Sequence, residues 1–386
     1  MAEPTRPSPG SGEGPHGARA IRASFTILAN TALLLIVVCL GLHVVLLAWY
    51  ARERDNKAYY ADLSPEVRAN YAHMSPDDVD ALLRATWNPG WLHEPWTGFR
   101  ERARTSRFVN VDASGLRMNR AGESPLARLD GAIWVFGGST TFGYGVADTE
   151  TIPAQLEQLL GRPVVNFGRA DYYSAQENVL LQQFLGAGFR PSDVWFLDGI
   201  NERCDLELYQ RELGILFDRT QATYRWDLAE LVKPVSYAAG RLWSATSTGQ
   251  KATREREARR WGQPCMKYGR TTPLAAVVSA NLTVRSALCT ASGVSCTTFV
   301  QPFAGTHGTL AGHNIDPQER AGLGTLFAQT EAAFRQSGAR FVTHALDGSS
   351  RHAFVDPGHY SAWANRAIAR TMADSLGMGR PSSAPR

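Results

Sequence analysis

The sequence predicts an α/β protein built on a parallel sheet. Strand-like and helix-like segments alternate from residue 132 almost to the C-terminus. The first of them, Ile133–Phe136, is a run of four apolar residues that stops at two glycines, which is typical of a buried strand followed by a tight turn. Strands that alternate with helices form parallel sheets with helices on both faces. Polar groups should then collect at the carboxyl edge of the sheet.

The predicted elements follow in a regular order, each bounded by Gly, Pro or polar residues. The predicted strands are 133–136, 163–167, 193–197, 297–303 and 340–346. The predicted helices are 152–160, 174–185, 322–336 and 362–376. Residues from about 203 to 280 interrupt this rhythm with polar, helix-like sequence. We interpret them as an insertion over one edge of the sheet.

The N-terminal region predicts a membrane anchor. Residues 1–23 are rich in Pro, Gly, Ser and Ala, which is typical of a disordered tail. Phe25–Trp49 contains no Asp, Glu, Lys or Arg and exceeds the roughly 20 residues that a membrane-spanning helix needs. No small-residue cleavage site follows it, so we expect an uncleaved transmembrane anchor at 24–50 rather than a signal peptide.

The rest of the chain divides into three parts. Residues 51–129 are predicted to form a lead-in segment that packs on the core. Residues 130–377 are predicted to form the α/β domain, and residues 378–386 a flexible tail. Within the lead-in segment, Ala58–Ala85 looks helical and Arg107–Asp112 alternates like a strand. A tryptophan-rich stretch lies between them and can either pack on the domain or contact a ligand; its members are Trp87, Trp91 and Trp96.

Charge and cysteine usage narrow the function class. The net charge of +4 is spread along the 386 residues, and the densest basic run, Arg254–Arg260, includes two glutamates. This pattern predicts a solvated helix face and no nucleic-acid binding. Outside the anchor, the four cysteines lack CxxC spacing, so they fit two disulfides, Cys289–Cys296 and Cys204–Cys265, or else four buried thiols. Disulfides would place the domain in the periplasm or outside the cell.

Small and polar residues follow the predicted strands where they would meet at one edge. They are Gly137–Ser139 after the first strand, Asn166–Asp171 after the second, Asn201 and Glu202 after the third, and Asp356 and His359 near the last. No Lys lies between Gly137 and Gly145, so this glycine-rich turn is not a phosphate-binding loop, and it lacks the dinucleotide fingerprint G-x-G-x-x-G. No His, Asp and Cys cluster has metal-ligand spacing. We therefore expect neither a cofactor nor a metal.

A hydrolytic site fits these residues better. A Ser hydroxyl becomes a good nucleophile when a His removes its proton and a carboxylate fixes the tautomer of that His. Asp356 and His359 are three residues apart around a Pro-Gly turn, which can hold the carboxylate against one ring nitrogen while the other faces Ser139. The alternative role for Ser139 is a simple helix cap.

Taken together, Gly-Gly-Ser, Asn-Phe-Gly, Gly-x-Asn and Asp-x-x-His, in this order, resemble the SGNH (GDSL-type) hydrolase family over residues 130–205 and 297–377. The resemblance implies a flavodoxin-like, three-layer α/β/α sandwich that cleaves or transfers acyl esters. It also implies Ser139 as nucleophile, Asp356 and His359 as its partners, and Asn201 as an oxyanion donor.

The chain departs from the family pattern at three positions. Gly138 stands where the family usually has an acidic residue, and Glu202 where it usually has Asp. The glycine whose backbone N–H faces the oxyanion corresponds to Asp171, and a carboxylate there would repel a developing oxyanion. Either Asp171 points away, or Gly168 donates instead, or activity is reduced.

These observations predict a membrane-anchored serine esterase acting on acyl esters, with acetyl groups on carbohydrate or cell-envelope polymers as the expected substrate. Its place would be the inner (cell) membrane, with the domain facing the periplasm or cell exterior. One alternative is an O-acetyltransferase that uses the same residues and receives its acyl group from a membrane partner. The second is a non-catalytic glycan-binding module with the same fold.

Overall fold

The chain begins with one long helix. The computed structural model describes residues 15–55, 58–87, 90–204, 243, 246–249, 251–252, 265–267, 270–309, 312–313, 317–349 and 351–378. Helix α1 spans Pro15–Asp55, and its segment Arg22–Leu46 is exposed and has a mean hydropathy of 2.4. This segment is long and apolar enough to cross a membrane. Helix α1 extends beyond both ends of the predicted anchor, and residues 1–14 of the predicted tail lie outside the described residues.

The lead-in segment is a set of short helices rather than one long helix. The elements are α2 (Tyr59–Asp62), α3 (Pro65–Arg68), a 3-10 turn (Ala69–Tyr71) and α4 (Pro76–Trp87). The break before α3 is caused by Ser64 and Pro65, because the Ser64 hydroxyl caps the helix by accepting from the Val67 N–H at 3.3 Å. An antiparallel hairpin of β1 (Trp91–Glu94) and β2 (Gly98–Glu101) follows.

The predicted strand at 107–112 is wrong. Only Val111 makes ladder contacts, as isolated bridges to Arg104 and Arg117. Side chains take the backbone donors that a strand would have used. The Ser106 hydroxyl accepts from the Val109 N–H at 2.9 Å, and Asp148 accepts from the Asn110 N–H at 3.1 Å.

The core is a five-stranded parallel sheet. Its strands are β3 (Ile133–Gly137), β4 (Val164–Gly168), β5 (Asp193–Asp198), β8 (Ser295–Val300) and β9 (Arg340–Phe341), while β6 (Cys265–Lys267) and β7 (Arg270–Thr272) form a separate antiparallel pair. The order across the sheet is β4-β3-β5-β8-β9, and every neighbouring pair is parallel. Numbered along the chain this is 2-1-3-4-5, the flavodoxin-like order. The predicted fold class is confirmed.

Helices cover both faces of the sheet. They are α5 (Ser139–Phe142), α6 (Ile152–Leu160), α7 (Ser174–Gly186), α8 (Leu274–Ser292), α9 (Pro317–Arg335) and α10 (Ala362–Ser375). One apolar cluster joins one face of β3 and β5 to α6 and α10, and a second joins the opposite face to α7 and α8. Side chains of successive strand residues point to opposite faces, so Ile133 lies in the first cluster and Trp134 in the second.

Several predicted boundaries change: the predicted strand 297–303 is observed as Ser295–Val300, and the predicted helix 322–336 as Pro317–Arg335. The last strand is two residues long, not seven, because the Val342 N–H still bonds to Val300 but residues Thr343–Leu346 then turn as a 3-10 helix. This turn buries Leu346 against the helix α10 cluster. Helix α8 begins at Leu274, inside the range assigned to the insertion. It too is apolar enough to span a membrane, but it carries the buried Arg285 and Cys289.

Both predicted disulfides are present, Cys204–Cys265 and Cys289–Cys296. Cys39 in α1 is a free cysteine. The first bridge ties the end of the loop after β5 to β6. Residues 205–242, 244–245, 250, 253–264 and 268–269, which together are most of the predicted insertion, lie outside the described residues.

Candidate active site

Ser139 lies in the turn between β3 and α5, which we call the Ser139 turn (residues 137–142). Gly137 has a positive φ of 156°, and a Cβ there would stand 2.1 Å from the Thr141 hydroxyl. Glycine is therefore required for the chain to turn this tightly. Gly138 is the N-cap residue and Ser139 the first residue of α5. The Ser139 hydroxyl does not cap the helix but faces His359.

Ser139, His359 and Asp356 form one hydrogen-bonded relay. His359 Nε2 lies 2.7 Å from Ser139 Oγ, and His359 Nδ1 lies 2.7 Å from each Asp356 carboxylate oxygen. These distances are within the range for direct proton transfer. Because the carboxylate accepts from Nδ1–H, Nε2 is left to accept the Ser139 proton. The structure thus brings together three residues that the sequence separates by up to 220 positions.

The Asp356 carboxylate is held in its charged form. Burial alone would raise the pKa of Asp356, but His359 and hydrogen bonds to the carboxylate bring this pKa below its usual value. Two of these bonds come from the backbone N–H groups of Gly358 and His359, at 2.8 and 2.9 Å from Oδ1. Asp356 is therefore a fixed acceptor that orients the ring of His359.

Arg117 of the lead-in segment stabilises the Ser139 turn and the residues that follow it. It is fully buried and donates to the carbonyl oxygens of Phe142, Gly143 and Val146 at 2.8, 2.5 and 2.7 Å. It also pairs with Asp148 at 3.0 Å. Carbonyls at a helix end lack intrahelical partners, and this guanidinium supplies them. Arg117 could not be predicted from the sequence, because one Arg in a polar stretch has no distinguishing spacing.

The carboxyl end of β4 packs tightly against the Ser139 turn. Asn166 donates to the Thr141 carbonyl at 3.1 Å and accepts from the Gly168 N–H at 2.9 Å. A Cβ on Gly168 would lie 2.2 Å from the backbone nitrogen of Phe142. Gly168 thus permits close backbone contact, and its N–H already donates to the Asn166 side chain. This hydrogen bond counts against Gly168 as an oxyanion donor.

Asp171 occupies a backbone conformation that favours glycine. It lies in the Asp171 turn (residues 169–172), closed by a 3.2 Å bond from the Tyr172 N–H to the Arg169 carbonyl. Its φ is 58°, and among the described residues it is the one non-glycine with positive φ. Such turns take Gly or Asn at this position. The side chain is half-buried, and burial raises the pKa of Asp171 against opposing effects of His359 and Arg203.

Asn201 lies directly beside the residue that precedes Ser139. Its amide nitrogen donates to the Tyr172 carbonyl at 2.8 Å, and an amide of this kind carries a second N–H. A Cβ on Gly138 would stand 2.2 Å from that nitrogen. A side chain at residue 138 would therefore clash with Asn201 in its present position.

The Glu202 side chain holds in place the loop that carries Asn201. It is buried and accepts from the N–H and hydroxyl of Ser174 at 2.7 and 2.9 Å. Burial and the nearby Asp198 raise the pKa of Glu202 to about 7. Arg285 neutralises the same region through contacts of 2.6 Å to Asp198 and 3.0 Å to Glu177.

The described part of the chain offers no group of three or more His, Cys, Asp or Glu residues that could hold a metal ion. What the arrangement can do chemically is transfer a proton from Ser139 to His359. Two hydrogen-bond donors lie near Ser139: the amide of Asn201 and the backbone N–H at the start of α5.

No protein-family model and no curated protein matches the chain. Among solved structures, it is similar to the psychrotrophic esterase EstA from Pseudoalteromonas sp., at 12% identity and a TM-score of 0.34, covering 64% of this chain and 97% of that one. It is also similar to a lipolytic protein of the G-D-S-L family from Desulfitobacterium hafniense, at 11% identity and a TM-score of 0.32, covering 64% of this chain and 99% of that one. A third similar structure is a carbohydrate acetylesterase family member from Sinorhizobium meliloti, at 13% identity and a TM-score of 0.32, covering 64% of this chain and 98% of that one. These structural neighbours are esterases and lipolytic proteins, several of them of the G-D-S-L (SGNH) group.

Proposed function

We propose that the chain is a serine esterase of SGNH type that hydrolyses acyl esters. The observation that carries this proposal is the relay from Asp356 through His359 to Ser139, with 2.7 Å at each step. A buried Ser in such a relay, at the carboxyl edge of a parallel sheet, has the arrangement of an activated nucleophile.

The mechanism uses each residue of the relay in turn. Ser139 Oγ attacks the ester carbonyl while His359 Nε2 takes its proton. His359 then gives this proton to the leaving alcohol, and an acyl group remains on Ser139. A water molecule repeats the attack, with His359 again as base, and releases the carboxylic acid. Asp356 stabilises the imidazolium in both halves of the reaction.

Three donors would stabilise the oxyanion in this mechanism. They are the backbone N–H of Ser139, the second amide N–H of Asn201 and the backbone N–H of Asp171. Donors of this type can each contribute a factor of about 100 or more to kcat. The Asp171 N–H survives the change from glycine, but its carboxyl group makes this the weakest member of the set.

We further propose that the domain is anchored in the cell membrane and faces the periplasm or cell exterior. Two features support this location: the exposed apolar segment Arg22–Leu46 and the two disulfides of the α/β domain. Acetyl esters on carbohydrate or cell-envelope polymers are the substrate class we propose, extending the resemblance to the SGNH family.

The test uses the full-length chain in detergent with p-nitrophenyl acetate. Ser139→Ala should remove more than about 99% of the hydrolysis rate, as expected for loss of the nucleophile. Ser375→Ala, a change of the same type in helix α10, should leave the rate unaltered. A fluorophosphonate should label Ser139 and fail to label the Ser139→Ala variant.

Other outcomes would point to the alternatives. Equal rates in the wild type and Ser139→Ala would contradict the mechanism. Slow hydrolysis that speeds up when a sugar acceptor is added would indicate an acetyltransferase. No hydrolysis and no labelling in the wild type would favour a glycan-binding module.

A further inference from the structure

The ring of Tyr144 covers one face of the imidazole of His359. The two ring centroids are 5.0 Å apart and the planes are inclined by 29°, which is a stacked arrangement. Hydrogen bonds hold the edges of the same imidazole, through Nδ1 to Asp356 and Nε2 to Ser139. The stack therefore constrains the one direction of motion that these hydrogen bonds leave weakest, tilting out of the ring plane.

The backbone around Tyr144 is built to hold this ring in place. Gly143 and Gly145 flank it with φ of 95° and 77°. Gly145 is fixed by two lead-in residues: its carbonyl accepts from the Tyr71 hydroxyl at 2.8 Å, and its N–H donates to Thr86 at 3.2 Å. A Cβ on Gly145 would lie 2.5 Å from a methyl carbon of Val355, the neighbour of Asp356. Tyr144 thus sits between the lead-in segment and the relay.

Apolar contacts complete the support. Phe142 packs edge-on against Tyr144, with centroids 5.6 Å apart and planes at 76°. Val111 and Ala170 belong to the same buried cluster. Tyr144 is only 9% exposed, so its ring is closely packed.

We propose that Tyr144 is a positioning residue for His359: its ring keeps the imidazole aligned with Ser139 and stabilises the imidazolium formed when His359 takes the Ser139 proton. This inference rests on the proposed function. An aromatic face carries negative charge density and attracts a cation placed over it. The neutral imidazole gains less from the stack than the imidazolium does, so the interaction strengthens on approach to the transition state.

The ring rather than the hydroxyl carries this role. Burial, with Glu101 and Asp171 nearby, keeps the pKa of Tyr144 well above its usual value, so the phenol stays neutral. A phenylalanine should therefore replace Tyr144, whereas an aliphatic side chain should not.

The experiment measures p-nitrophenyl acetate kinetics of the full-length chain with Tyr144→Phe and Tyr144→Leu. We expect Tyr144→Phe to keep kcat within about two-fold, and Tyr144→Leu to lower kcat about ten-fold with KM within about two-fold, as for an interaction made mainly in the transition state. Tyr144→Met is the second ring-free variant, used if the leucine variant does not fold.

A proton NMR measurement makes the test independent of turnover. The low-field signal of the His359 Nδ1–H should persist in Tyr144→Phe and broaden or vanish in Tyr144→Leu. If the wild type hydrolyses no ester, the proposed function fails, and this signal still tests the stack. An unchanged signal and unchanged kcat in Tyr144→Leu overturn the inference, as does a fall in Tyr144→Phe as large as in Tyr144→Leu.

Discussion

The Ser139 turn and the Asp171 turn follow neighbouring strands, yet they are built differently. In the Ser139 turn and just after it, each residue with positive φ is a glycine, and the buried Arg117 bonds to three of the carbonyls that follow Ser139. In the Asp171 turn, an aspartate takes the positive φ although glycine would fit better. Strain tolerated at a crevice points to a function for the strained residue. The Ser139 turn is held by glycines and a buried guanidinium, whereas the Asp171 turn carries a charged residue in a strained backbone conformation.

The largest effect should come from Gly168→Ala, which disrupts the contact between the carboxyl end of β4 and the Ser139 turn. The added methyl would meet the Phe142 backbone at 2.2 Å, and backbone cannot yield as a side chain can. We expect a loss of about 3 kcal/mol or more in the free energy of unfolding, and, because Ser139 must shift, a fall in kcat of about 100-fold. Urea unfolding and ester hydrolysis measure the two.

Gly186→Ala is the matched control for that substitution. Gly186 ends α7 and has no atom within 4 Å of an added Cβ, so stability should stay the same or rise slightly. If Gly168→Ala keeps activity within two-fold of the control, the carboxyl end of β4 does not set the position of Ser139.

Arg117→Met should destabilise the protein by a similar amount, because it removes the guanidinium that bonds to the Ser139 turn and the residues after it. The change leaves Asp148 buried without its cation and takes the guanidinium donor from three carbonyls. Breaking a buried pair in this way costs about 3–5 kcal/mol of stability. Arg120→Met, three residues along, should cost less than about 0.5 kcal/mol, since that side chain is 66% exposed. Equal unfolding midpoints in urea for the two variants would show that Arg117 does not stabilise the turn.

Much of the fold and three residues of the candidate site could be predicted from the sequence. The strands were recognised because buried parallel strands are short apolar runs, and the boundaries of β3 and α6 were predicted to within one residue. Asp356 and His359 were paired by local spacing. Their meeting with Ser139 followed from the rule that parallel strands end at one edge.

What the sequence could not predict depends on contacts between distant residues. Arg117 and Tyr144 act on carbonyls and a ring that only the folded chain brings near them, and neither contact has a periodic signature. The strand at 107–112 failed for a related reason, since Asp148, far along the chain, captures a backbone donor of that segment. The need for positive φ at residue 171 was likewise hidden, because aspartate gives no sign of it.

A pH-dependent effect should come from Glu202, which supports the loop of Asn201. Its pKa of about 7 in the folded protein exceeds the usual 4.5, so between these values the unfolded chain ionises while the folded chain does not. Its contribution to stability is therefore complete below pH 4.5 and is lost as the pH rises through 7. We expect the Tm of the wild type to fall from pH 5 to pH 8, and that of Glu202→Gln to fall less. Parallel Tm curves would contradict this assignment.

The smallest effect, and the one that bears most directly on the comparison, should come from residue 171. Asp171→Asn removes the charge and tolerates the same backbone, while Asp171→Gly also removes the strain. If the carboxylate opposes the oxyanion, both variants should raise kcat by about three-fold. Because burial raises the pKa of Asp171, the wild type should nearly match Asp171→Asn at low pH, and their kcat ratio should grow as the pH rises. The ratio cancels the titration of groups that the two proteins share.

The stability of the same variants separates strain from charge. Asp171→Gly should gain less than about 1 kcal/mol, because relief of the positive φ is partly offset by the greater freedom of glycine in the unfolded chain. Asp171→Asn should stay close to the wild type. A loss of kcat in both variants, with stability unchanged, would instead show that the carboxylate assists the reaction. In that case the aspartate is kept for catalysis, and the strained turn after β4 is as much a part of the active site as the rigid turn that holds Ser139.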